Sequence, residues 1–129
     1  MLNKLFGWLR RGPKLPSVNA VELEKALKKR NTVVLDVRTP GEFAQGHIPG
    51  AKLMNLYEPD FAEKISKLDK EKEYYVYCRS GQRSQQAGKK MLKQGFTQVF
   101  NLAGGVMAWR GNLKKTTIMP KNPGGPTMR

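Results

Sequence analysis

The hydrophobic positions of the chain alternate between two periodicities. Ala20, Leu23, Ala26 and Leu27 share one face of a 3.6-residue repeat, which predicts a helix over 20–30. Asn19 and Glu22 are spaced as its capping box, and Val18 and Leu23 as the apolar staple across the turn. Thr32-Val33-Val34-Leu35-Asp36 is then a continuous run, the pattern of a strand covered on both faces. A short helix over 41–45, a loop over 46–51 and a short strand over 52–56 follow. Phe61, Ile65 and Leu68 recur at helical spacing and predict a helix over 59–68. Residues 74–78 form an aromatic strand. Residues 83–93 form a helix with Ala87, Met91 and Leu92 on one face, closed by Gly95. A strand over 98–102 and a short helix over 106–110, anchored by Trp109, complete the pattern. Ser17-Val18 adds a brief edge strand at the start.

Strands thus alternate with helices. The expected fold class is α/β: a three-layer α/β/α domain with a mostly parallel five-stranded sheet and helices on both faces. Right-handed crossovers bring all strand C-termini to one edge, where such sheets bind ligands. Asp36 and Cys78 both end strands, so both belong to that edge.

Charge divides the chain into three parts. The 129 residues carry a net +14, yet all ten acidic residues lie between Glu22 and Glu73. Lys4, Arg10, Arg11 and Lys14 make residues 1–16 a basic amphipathic extension. Lys114, Lys115, Lys121 and Arg129 make residues 112–129 a basic tail rich in Pro and Gly, expected to lack fixed structure. The domain proper is expected over 17–111. Such flanks attract RNA, anionic lipid or an acidic protein, or are simply solvated, and no specific nucleic-acid partner is expected. Leu2, Leu5, Phe6 and Leu9 line one helical face beside Trp8. Residues 1–11 could therefore make weak contact with a membrane surface or a partner, fold onto the protein's own core, or fray. Interruption by Asn3 and Lys4, with Arg10-Arg11 following, does not fit a secretory signal. No apolar run approaches the ~20 residues that span a bilayer.

One cysteine excludes an internal disulfide and a multi-cysteine zinc site, and one histidine offers no cluster. No metal or other cofactor is expected. A lone thiol fits a reducing compartment, so a cytoplasmic location, at most peripheral to a membrane, is expected.

That cysteine carries the candidate chemistry. Cys78 ends a strand, Arg79-Ser80-Gly81-Gln82 form a short polar loop, and a helix starts near Arg83. Backbone N–H groups from Arg79 to Ser84 can curl into an anion nest, with Gly81 supplying the backbone freedom and Ser80 and Ser84 adding hydroxyls. A thiolate at a helix start beside cations has a lowered pKa. The alternative is an inert cysteine closing a buried strand. Arg79 is expected to face solvent and substrate. Arg83 either meets an anionic substrate or braces the loop against a carboxylate, and Glu42 either caps a helix or pairs with an arginine.

Cys78-Arg79-Ser80-Gly81-Gln82-Arg83-Ser84 resembles the active-site loop of single-domain rhodanese-like sulfurtransferases. Leu35-Asp36-Val37-Arg38-Thr39-Pro40, Gly46-His47-Ile48-Pro49-Gly50-Ala51 and Leu102-Ala103-Gly104-Gly105-Val106-Met107-Ala108-Trp109 resemble the family's other motifs, in the same order. The resemblance implies a sulfane sulfur taken from a donor such as thiosulfate onto Cys78 as a persulfide, then passed to cyanide or a thiol, with a sulfur-carrier protein as a further partner. A persulfide carrier or an adaptor within a sulfur-relay complex is the alternative. The resemblance also implies that Asp36 and Arg38 support the loop, and it assigns nothing catalytic to His47, whose setting reads as a turn. Related phosphatases carry Cys-x5-Arg, a larger ring that wraps phosphate. Here Arg83 falls at Cys-x4-Arg, a ring suited to a single sulfur.

Deleting residues 1–16 is expected to reduce binding to anionic vesicles and to leave Cys78 chemistry intact. Unchanged vesicle binding would remove the membrane reading.

Overall fold

The computed structural model describes residues 15–116. Five parallel strands, β1 (Ser17–Val18), β2 (Thr32–Asp36), β3 (Lys52–Leu53), β4 (Glu73–Tyr77) and β5 (Val99–Leu102), pair in the order β1-β5-β4-β2-β3. The connecting helices are α1 (Ala20–Ala26), α2 (Pro40–Gln45), α3 (Phe61–Ser66) and α4 (Gln82–Lys93), and a 3-10 turn spans Gly105–Ala108. The expected α/β/α layering is what the chain adopts, with every strand pair in the sheet parallel.

Right-handed crossovers dictate which helix lies on which face. Connections that step toward β3 need one face and those that step toward β1 need the other. Leu23 and Ala26 of α1 and Ile48 of the α2–β3 loop accordingly pack with Val34, Tyr75, Tyr77 and Leu102. Phe61 and Ile65 of α3 and Ala87 and Met91 of α4 pack on the opposite face with Leu35, Tyr74, Val76 and Val99. The direction of travel reverses between β2 and β4. The crevice beyond their C-terminal ends is the switch point where open α/β sheets bind ligands. Asp36 aligns with Tyr77 there, which places Cys78 one residue beyond the central strand.

Several boundaries differ from the expectation. Helix α1 stops at Ala26, because Lys28 and Lys29 make tighter bonds to Lys25 and Ala26 and bring no apolar side chain to the core. Strand β3 ends at Leu53. Met54 and Leu56 still bond Asp36 and Val37, but the Asn55 side chain accepts from Tyr57 N and turns the chain away. Helix α3 is limited to Phe61–Ser66, and the last short helix is the 3-10 turn.

Both domain edges extend further than composition suggests. Leu15, assigned by charge to the extension, is buried in the core against α4. Gly88 makes the space, since a Cβ there would lie 2.6 Å from Leu15 Cδ2. At the other end, residues assigned to the tail are held. His47 and Lys114 exchange backbone bonds of 3.0 and 2.8 Å, and Thr116 N donates to Ala44 O. The amphipathic stretch over 1–11 and the Pro/Gly-rich segment over 120–126 lie outside the described residues. Among those described, no helix is long and apolar enough to cross a membrane.

Leu15→Ala should lower the unfolding free energy by roughly 2–5 kcal/mol, the usual cost of emptying a leucine site. Urea unfolding of the variant beside the unaltered chain checks this, and a negligible loss would exclude Leu15 from the core. A vesicle-binding truncation therefore belongs at residue 11 rather than 16.

Candidate active site

Strand β4 delivers Cys78 to the switch point, buried at 2% exposure. The chain then curls back around the sulfur. Gly81 N donates to Cys78 Sγ at 3.0 Å, Ser84 N lies at 3.4 Å, and Ser84 Oγ also stands 3.4 Å away. The curl passes through Gly81 at φ +120°, a conformation open to glycine and strained for other residues. It then runs into α4, which starts at Gln82. The expected nest is thus formed, with Gly81 and Ser84 contributing the close donors and Arg79, Ser80 and Gln82 exposed on its outside.

The opposite side of the loop is fixed by the 3-10 turn. Val106 N donates to Cys78 O at 2.9 Å and Met107 N to Arg79 O at 3.3 Å. Those carbonyls are held away from the sulfur, so the ring around it is lined by donors. Gly105 permits this approach, because a Cβ there would collide with the Arg79 carbonyl.

Burial pushes the Cys78 thiol up. The Ser84 hydroxyl, where it donates to the sulfur, and the N–H groups of Ser84, Gly81 and Ser80 outweigh it and hold the thiol below its ordinary value. The arrangement can stabilise a sulfur anion without a metal.

Arg83 turns out to brace the loop. Its guanidinium binds both Glu42 oxygens, at 2.8 and 2.9 Å, and its charge lies over the Tyr57 ring at 5.7 Å. Glu42 fulfils both roles left open for it. It also accepts from Thr39 N and Oγ1, closing the capping box of α2. Arg79 is exposed and lines a cleft with Glu42, Gln45 and Met107.

Asp36 and Arg38 form a buried pair at the end of β2. Arg38 Nε and Nη2 reach the Asp36 carboxylate at 2.9 and 2.7 Å, and Nη2 also donates to Gly46 O at 2.7 Å. The pair ties the 46–51 loop to the site edge, assisted by Ile48 N, which donates to the buried Tyr77 hydroxyl. His47 is a turn residue. Its Nδ1–H donates to Phe43 O at 2.8 Å, and its ring stacks on Phe43. Trp109 packs against the core, and its Nε1 donates to Asn112 O.

Sequence reasoning missed Asn101. It lies on the α4-facing side of β5, 2% exposed, with Oδ1 2.5 Å from Ser84 Oγ. The available signal was an amide at a core-facing strand position, where a buried polar group needs a partner.

A cysteine enclosed by backbone N–H groups at the switch point of a parallel sheet defines a thiolate-loop α/β protein. The rhodanese-like domain profile matches residues 19–112, and the chain belongs to that family of sulfurtransferase-type proteins. It is 35% identical over 96 residues to a sulfurtransferase of Allochromatium vinosum, covering 71% of this chain and 88% of that one. It is 34% identical over 95 residues to the thiosulfate sulfurtransferase GlpE of Coxiella burnetii, covering 74% and 87%. Among solved structures, a rhodanese-like domain protein from Staphylococcus aureus superimposes with a TM-score of 0.69 at 30% identity, covering 80% of this chain and all of that one.

The Arg83–Glu42 bond sets a pH window. Chiefly through Arg83, the Glu42 carboxyl is held at about 2, against an ordinary 4.5. A pKa depressed by folding stabilises the fold above the unfolded value, and that contribution is lost as pH falls through the folded one. Between about pH 4.5 and 2, Glu42→Gln should therefore lose less stability than wild type. Urea midpoints measured across that window check this, and parallel curves would show the bond to be uncoupled from folding.

Proposed function

We propose that the protein transfers a sulfane sulfur through a Cys78 persulfide. The observation that carries this reading is the donor ring, with Gly81 N at 3.0 Å and Ser84 N and Oγ at 3.4 Å from a buried sulfur. Fixed donors around a site of developing charge stabilise it without reorganising. The ring also favours an anion on the cysteine itself over a bound tetrahedral group, since Arg83 at Cys-x4-Arg is held by Glu42.

With thiosulfate as donor, the Cys78 thiolate attacks the outer sulfur. A Cys–S bond forms as the S–S bond breaks, and its electron pair leaves with sulfite. The persulfide anion lies above the loop. Its terminal sulfur is then attacked by cyanide or a thiolate, yielding thiocyanate or a new persulfide and returning the Cys78 thiolate. Charge is conserved in both steps, and no cofactor enters. Arg79, exposed beside the loop, is the residue assigned to meet the anionic donor, and Arg83 positions the loop. Thiosulfate is supported as donor by the similarity to a relative that bears it in its name. A sulfur-carrier protein is the physiological class of acceptor this chemistry admits. The lone thiol supports a reducing compartment such as the cytoplasm, with residues 1–11 as the segment for any membrane contact.

Intact mass after incubation with thiosulfate should show the gain of one sulfur atom, reversed by cyanide and absent in Cys78→Ser. Steady-state thiocyanate formation, also lost in Cys78→Ser, should accompany it. A stable sulfur adduct without turnover would establish the carrier reading instead. No adduct at saturating thiosulfate would overturn thiosulfate as the donor.

A further inference from the structure

Ser84 sits among three groups that compete for one proton. Its hydroxyl has one hydrogen to give and two lone pairs to offer. Around it lie Cys78 Sγ at 3.4 Å, Gly81 O at 3.1 Å and the Asn101 side chain at 2.5 Å. Gly81 O can only accept, and a thiolate can only accept. Asn101 can do either, depending on which end of its amide faces Ser84. With Oδ1 toward Ser84, the carbonyl takes the proton and a Ser84 lone pair faces the sulfur. That arrangement suits a neutral thiol, whose S–H can donate. With the amide turned over, Nδ2 donates to Ser84 Oγ and frees the Ser84 proton for a sulfur anion.

The far end of the amide meets an equally adaptable partner. Asn101 Nδ2 lies 3.5 Å from Ser17 Oγ, a hydroxyl that can accept or donate. Ser17 and Asn101 line an open cleft of about 720 Å³ with Ser80, Gln85 and Lys89, so the outer end of this chain of groups reaches solvent. Every member between the cleft and Cys78 can reverse its hydrogen-bond direction.

We infer that Asn101 is a positioning residue whose amide, through Ser84, delivers or withdraws a proton donor as the sulfur gains and loses charge. The role explains an amide at a buried strand position where a carboxylate would only accept and an aliphatic side chain would do neither. Among the described residues, the charged groups nearest the loop are the Arg83–Glu42 pair, from α4 and α2, Arg79 in the loop and the Asp36–Arg38 pair at the end of β2. Strand β5 faces it with Asn101 and no charge. The inference rests on Cys78 being the reacting thiolate. Its test reads alkylation rather than sulfur transfer, so the two readings can fail separately.

The experiment is the pH profile of iodoacetamide alkylation of Cys78, with thermal melting to confirm that each variant folds. Asn101→Asp keeps the shape but places a carboxylate acceptor toward Ser84, and its midpoint should rise by about one pH unit or more. Asn101→Ala removes the competitor for the Ser84 proton, and its midpoint should fall. A residue that merely filled space would show no fall in the alanine variant. The aspartate charge also acts on the sulfur directly, so the part carried by the hydroxyl is read in a Ser84→Ala background, where the effect of Asn101→Asp should shrink because the group it acts through is gone. An undiminished shift there, or an alanine midpoint at or above that of wild type, overturns the inference. Should Asn101→Asp fail to fold, Asn101→Leu serves: its midpoint should fall, and an unchanged or raised midpoint would sink the proposal.

Discussion

A sulfur anion buried at the end of a strand has lost its water and must be met by fixed donors, or it takes up a proton. Most of the local architecture follows from that requirement. The curl through Gly81 turns two N–H groups inward. The clamp from Val106 and Met107 turns the Cys78 and Arg79 carbonyls outward. Neither half suffices alone, since a nest with one inward carbonyl would oppose the charge it is built to hold. The sheet makes both halves available by ending β4 and β5 side by side, with the loop after one and the turn after the other.

The loop is also pinned laterally, by different chemistry on each side. Toward β2 the restraint is ionic: Arg83 grips Glu42, and Glu42 is itself held by the first turn of α2. Toward β1 it is neutral: Ser84 meets Asn101, and Asn101 reaches Ser17. The ionic side is partly open to solvent and fixes position. The neutral side can reverse its hydrogen bonds by turning over one buried amide, without displacing the loop. A loop that must tolerate both a thiol and an anion gains from having its adaptable contacts, Ser84 and Asn101, buried beside the sulfur.

Much of this was legible in the residues. Continuous apolar runs such as 32–36 announced a parallel sheet, because only burial on both faces tolerates them. A strand end followed by a polar curl with a glycine and a helix start announced the donor nest around Cys78. What stayed hidden depended on contacts distant in sequence. Arg83 had two acceptable partners until α2 was seen beside α4. Asn101 read as one polar residue in a strand, because nothing local says that it faces Ser84, seventeen positions earlier. Leu15 was lost to its surroundings: four cations in sixteen residues outweighed one leucine in the composition, whereas the core responds to the leucine. The strap over 112–116 was hidden for the related reason that backbone pairing to His47 leaves no mark on side-chain pattern.

The missing Cβ at Gly105 bears on how this loop can change over evolutionary time. With the carbonyls of Cys78 and Arg79 clasped by the turn beyond Gly105, the first part of the loop has no slack. An inserted residue would have to enter after that clasp, among Ser80, Gly81 and Gln82, where the chain borders the open cleft. Growth of the ring is therefore steered to one side. A lineage that lengthened it would enlarge the pocket above the cysteine while inheriting the cysteine's own setting unchanged.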